Sequence, residues 1–112
     1  MGVTLLAIIT IGAALAAPIA FAQGTVDEGL RDCEKLAAVK FKRGNPAFKK
    51  FAIDRESAEQ DKFTDKVGSQ FVSSVYHGKA TYQAAGEPES VRFICLHAGY
   101  GKGAVFVYTL SP

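Results

Sequence analysis

The chain has 112 residues, 48% of them hydrophobic and 21% charged, with 13 basic side chains against 11 acidic ones. Such a length allows one small domain with a thin core. The near-neutral balance argues against nucleic-acid binding by bulk charge.

The chain opens on an apolar run, Val3 to Ala22, broken only by Thr4 and Thr10 and ahead of every Lys, Arg, Asp and Glu. It closes on Ala20-Phe21-Ala22, the small-x-small pattern of a signal-peptide cleavage site, with Pro18 just upstream. The reading is a signal peptide over 1–22 cut between Ala22 and Gln23, leaving a single small domain over 23–112. The segment before the run, Met1-Gly2, lacks the usual Lys or Arg. The alternative is an uncleaved anchor, because about 20 apolar residues can span a bilayer. The expected location is periplasmic or extracellular, with membrane contact only through this segment if it is retained.

Cys33 and Cys95 are the only cysteines, and both lie in the expected mature part. In an oxidising compartment two cysteines allow one intramolecular pairing, so a Cys33–Cys95 disulfide is predicted.

Thr25 to Glu28 has the spacing of a capping box. Val26, Leu30, Cys33, Ala37 and Phe41 then recur at three- and four-residue steps, one face of an amphipathic helix. Acidic residues early and Lys40, Lys42 and Arg43 late suit the helix dipole, and Gly44-Asn45-Pro46 supplies the stop. Ala47 to Asp54 reads as a strand. Arg55 to Gly68 is polar, mixed in charge and poor in β-branched residues, and is read as a loop into which the flanking strands extend partly. Ser69 to Gln83 is a strand with a bulge or bend at Gly78. Ala84 to Glu89 is a turn, Ser90 to Ala98 a buried strand, and Gly103 to Leu110 the last strand. One helix followed by consecutive strands with short connections predicts an α+β domain: an N-terminal amphipathic helix on a three- to four-stranded antiparallel sheet, stapled by one disulfide.

The order of elements resembles a cystatin-like layout. More narrowly, Cys33, Gly78, Phe93-Ile94-Cys95 and Gly103-Ala104-Val105 resemble the pattern of small uncharacterised exported bacterial proteins. The resemblance implies the fold class and carries no catalytic motif to transfer.

The motifs each have a plain structural reading. Gly99 to Val105 has Gly101-Lys102 but then Gly103 in place of Ser or Thr, and a strand follows instead of a helix. A hairpin turn explains the glycines better than a phosphate loop. Tyr100 and Lys102 at its tip are recognition candidates. Cys33, His77, Cys95 and His97 make a nominal set of zinc ligands, but only Cys95 and His97 are close, and a disulfide would remove the thiolates. A thiol enzyme needs a free Cys95 and a third orienting group, which the sequence does not supply. Glu56, Glu59, Asp61 and Asp65 are interleaved with Arg55, Lys62 and Lys66, as in a solvated segment. Lys40, Lys42, Arg43, Lys49 and Lys50, with Phe41, Phe48 and Phe51 between them, are a candidate basic patch. The bland explanation is helix-end charge and edge-strand lysine.

The expectation is therefore a non-catalytic exported binding protein, of inhibitor type in its sharpest form, with no cofactor and no metal. Its partner is an unidentified protein, or in the alternative an anionic envelope polymer or surface gripped by the basic run. A Cys/His thiol or metal enzyme is the third possibility.

Overall fold

The structure, a computed structural model, describes residues 26–111. The expected signal segment 1–22, the Ala22–Gln23 cut and the Thr25 cap lie outside the described residues. An α-helix, α1 (26–44), leads into five strands. These are β1 (Lys50–Ile53), β2 (Glu59–Val67), β3 (Gln70–Gln83), β4 (Glu89–His97) and β5 (Ala104–Leu110). One helix packs on one antiparallel sheet, and Cys33–Cys95 joins the two layers.

The helix ends where its chemistry says it should. The Asn45 backbone N–H donates to the Phe41 carbonyl at 2.8 Å, and Gly44 and Pro46 flank that bond. Leu30, Cys33 and Ala37, one face at three- and four-residue steps, are buried. They meet Phe51 and Ile53 of β1, Tyr76 and Ala80 of β3, Phe93 and Cys95 of β4, and Val107 of β5. At the helix C-terminus Phe41 sits 5.5 Å from Phe51 and 5.4 Å from Tyr82, ring centre to ring centre. The disulfide lies in the middle of this layer, with both cysteines fully buried.

Strand order is β1-β3-β4-β5, and β2 also pairs β3. β3 is long enough to take two partners on one edge: β2 beside its first half and β1 beside its last residues. Between them the chain steps outward through 54–58, whose backbone crosses close over Gly78. A Cβ on Gly78 would lie 2.9 Å from the Ser57 carbonyl oxygen and 3.0 Å from Ala58 Cα. The bend expected at Gly78 is thus a close approach of backbone, at a φ of 154°.

The reading of Arg55–Gly68 as mainly loop is corrected: nine of its residues form β2. Every residue of β2 is exposed. It hydrogen-bonds along one edge of β3 and neither of its faces is covered, so no alternation of apolar residues marks it. Its register shifts between Lys62 and Asp65, where Thr64 takes a φ of 54°. β1 is also shorter than the expected Ala47–Asp54, because the chain turns through Asn45–Phe48 before pairing begins.

Candidate functional site

A polar cluster lies where the first turns of α1 meet the first half of β3 and the end of β4. His97, the last residue of β4, is 3% exposed. Its position on the helix-facing side follows from the parity of Phe93 and Cys95. The Gly99 backbone N–H donates to His97 Nδ1 at 3.0 Å. The ring proton therefore sits on Nε2 and is donated to Asp32 Oδ2, 2.9 Å away. Both ring nitrogens are occupied, so His97 holds no free lone pair for general-base work.

Tyr76 packs edge-on against His97 with ring centres 5.7 Å apart. Its hydroxyl lies against the helix at Gly29, where a side chain would collide with it. Gln60 Nε2 donates to that hydroxyl at 3.1 Å. Burial raises the Tyr76 phenol above the ordinary tyrosine pKa of 10.0; a hydrogen bond with Ser74 opposes this, and the nearby Asp32 charge adds to it. Glu28, Asp32, Tyr76 and Tyr100 line a small cleft of about 70 Å³ over this cluster.

The turn after His97 is tightly made. Ala98 N–H donates to the Gly103 carbonyl and Lys102 N–H to the Gly99 carbonyl, both at 2.9 Å. Gly99, Gly101 and Gly103 take φ values of 128°, 76° and 87°. Side chains rarely adopt these, which accounts for the three glycines without a phosphate. Tyr100 is 65% exposed at the tip, and Lys102 is exposed beside it.

The basic residues fall elsewhere and divide. Lys40 Nζ donates to the Val107 carbonyl at 2.9 Å and lies 4.5 Å from the centre of the Phe106 ring. It caps the free edge of β5. Lys42 and Arg43 at the end of α1, and Lys49 and Lys50 at the start of β1, are exposed at the end opposite the Tyr100 turn. The Phe41–Phe48 contact, 6.0 Å between ring centres, holds those two segments together.

The Cys/His set does not converge. Cys33 and Cys95 are bonded to each other, with 6.1 Å between their Cα atoms, and neither is available as a thiolate. His77 is on the opposite face of the sheet from His97, 2.9 Å from Asp61 across the β2–β3 ladder. Glu56, Glu59 and Asp65 are exposed along the outer segment. Among the described residues no group of three or more His, Cys, Asp or Glu is placed to hold a metal ion.

Tyr100 and Lys102 stand out in the sequence, whereas Glu28, Asp32, Gln60 and Tyr76 do not. Asp32 adjoins Cys33 in sequence, so a tether from Cys33 to β4 brings it near β4. Compared with known proteins, the chain matches no family model, no curated protein and no solved structure.

Proposed function

We propose that the chain is a small exported binding module that recognises a protein partner with the end of the molecule carrying Tyr100 and the Asp32 cleft. The observation that carries the reading is the exposure of Tyr100 on a hydrogen-bonded turn. An exposed aromatic stands on a turn whose root is pinned by the Asp32–His97–Gly99 hydrogen bonds and, two residues back, by the disulfide. A turn held at its root loses less conformational entropy on binding than a free loop, and tyrosine is a favoured anchor at protein interfaces. Glu28 and Asp32 make the neighbouring cleft acidic, which suits a basic side chain of the partner. The inhibitor reading of the cystatin-like layout is one form of this function. The buried disulfide agrees with export into an oxidising compartment, and the apolar run before Gln23 is the segment that would direct it.

The test is affinity capture from an envelope extract with the oxidised protein as bait, followed by titration of the captured partner. Tyr100→Ala is expected to weaken binding about tenfold or more, as loss of an interface anchor does, while thermal stability stays the same. Equal capture by wild type and Tyr100→Ala would remove the proposal.

A second reading keeps the basic end. Lys42, Arg43, Lys49 and Lys50 are exposed together there, and among the described residues none of the four is in an ion pair. An anionic envelope polymer would be held by these four residues, with salt-sensitive retention on an anionic matrix that their replacement by Gln abolishes. Lys40 is not part of that set, because its ammonium is committed to β5.

A further inference from the structure

The face of the sheet away from α1 is laid out in rows by the strand register. One row runs Asp61, Val75, Leu96, Phe106. The next runs Glu59, His77, Ile94, Tyr108, and the third runs Lys79, Arg92, Leu110. Ile94, Phe106 and Tyr108 are 36%, 44% and 50% exposed. Above the lower rows lies an open hollow of about 450 Å³, with Val75, Ile94 and Leu110 among its walls. A continuous apolar sheet face of this kind marks an interaction surface. Its charges are arranged on two adjoining sides. Glu59 and Asp61 form an acidic column along β2, with Asp61 2.9 Å from His77, and Lys79 and Arg92 form a basic row across β3 and β4, with Arg92 also donating to the Ser111 carbonyl at 3.3 and 3.4 Å.

We infer that this face pairs with the same face of a second copy of the chain. Rows are about 7 Å apart along the strands, and neighbouring strands are about 4.8 Å apart. A two-fold axis lying in the face at about 45° to the strands crosses the two sheets at about 90°, one of the two ways in which sheets pack. That operation exchanges the across-strand and along-strand directions. It sets Glu59 of one copy between Lys79 and Arg92 of the other and Asp61 beyond Arg92 at Leu110, twice over, because a two-fold interface is isologous. By the same operation the apolar centre, Ile94, Leu96 and Tyr108, falls on its own image. The charges thus complement a second copy at this crossing, and a partner of one charge sign would meet repulsion along one side. The surface is distinct from the Tyr100 end, so the inference stands apart from the proposed function; the dimer would display two such ends.

Sedimentation velocity on protein produced from the full chain, purified without reductant, tests this over a range of concentrations. Wild type is expected to pass from one chain to two as concentration rises. Reversing the acidic column (Glu59→Lys with Asp61→Lys) or the basic row (Lys79→Glu with Arg92→Glu) is expected to weaken self-association by about tenfold or more, since like charges then face each other. Mixing the two reversed proteins restores both sets of contacts and gives a one-to-one heterodimer. A chain carrying all four substitutions associates with itself again, which covers the case of a variant that folds poorly alone. A wild type that stays monomeric throughout, because another segment or another protein takes the face, overturns the inference. So does a dimer indifferent to the reversals, or a mixture that does not recombine.

Discussion

Asp32 and His97, 65 residues apart in sequence, are 2.9 Å apart across the helix–sheet interface, and the Gly99 backbone N–H decides which ring nitrogen faces the carboxylate. The imidazole is a strut. It ties the early part of α1 to the root of the Tyr100 turn. His97→Ala leaves the Gly99 donor and the Asp32 carboxylate without their partner and is expected to cost about 2–3 kcal/mol. Asp32→Asn keeps an acceptor for the Nε2 proton and is expected to cost about 1 kcal/mol. Urea unfolding midpoints measure both, and amide exchange at Gly99 should quicken in the alanine variant.

Cys33–Cys95 closes a loop with a sequence separation of 62. In the chain-entropy model that contributes about 4 kcal/mol, a large part of the stability of a domain this size. Reduction in mild denaturant is expected to unfold the protein, whereas the oxidised form stays folded. Intact mass without reductant, with and without alkylation, should show no free thiol.

Gly29 is predicted to reverse the usual rule for helices. Alanine normally stabilises a helix interior by about 1 kcal/mol relative to glycine. Here the added Cβ collides with the Tyr76 hydroxyl, so Gly29→Ala is expected to destabilise by about 1–3 kcal/mol, as overpacking does. At Gly44 nothing lies within 4 Å of an added Cβ, and Gly44→Ala serves as the tolerated control. Thermal melts of the two variants decide the sign.

Tyr76 sets a limit on alkaline stability. Its phenol pKa is raised above 10.0, chiefly by burial, so the fold favours the neutral form. That contribution is complete below 10.0 and is lost as pH rises through the higher folded value. The difference in ultraviolet titration between wild type and Tyr76→Phe should show a tyrosine ionising above 10.0. Tyr76→Phe should lose less stability than wild type across that range.

Arg55 fastens the segment between β1 and β2 to the helix. It makes two bonds to Glu34, of 2.6 and 3.2 Å, and one to Asp27 of 3.2 Å. Glu34 Oε2 also accepts the Ile53 backbone N–H at 2.7 Å. Hydrogen bonds from Arg55 and then Arg31 hold the Asp27 carboxyl below its ordinary value of 3.8. The stability this provides is present above 3.8 and lost as pH falls through the lower folded value. Arg55→Gln is expected to cost about 1 kcal/mol at neutral pH, small because the pairs are partly exposed. It should also flatten the acid limb of a melting-temperature profile.

The candidate site was only partly legible in the sequence, for a reason visible in particular residues. Tyr100 stood out because glycines around an aromatic are a local signal. Asp32 did not, since one acidic residue on a helix looks the same whether it faces water or a histidine from a distant strand. β2 was missed because its residues are exposed on both faces, so burial left no period to read. Lys40 read as surface charge, and only the position of the β5 edge makes it a cap.

By itself the sequence determined the helix, its C-terminal stop, the disulfide and the closing hairpin, because these rest on spacing along the chain, turn chemistry and the presence of just two cysteines. The tertiary structure decided the rest. It made His97 a buried strut, placed His77 on the other face of the sheet, and sent Lys40 to a strand edge and Lys42, Arg43, Lys49 and Lys50 to the end opposite Tyr100. The physical reason is that hydrogen-bond partners and shared faces depend on which residues register brings opposite one another, and register is a property of paired strands.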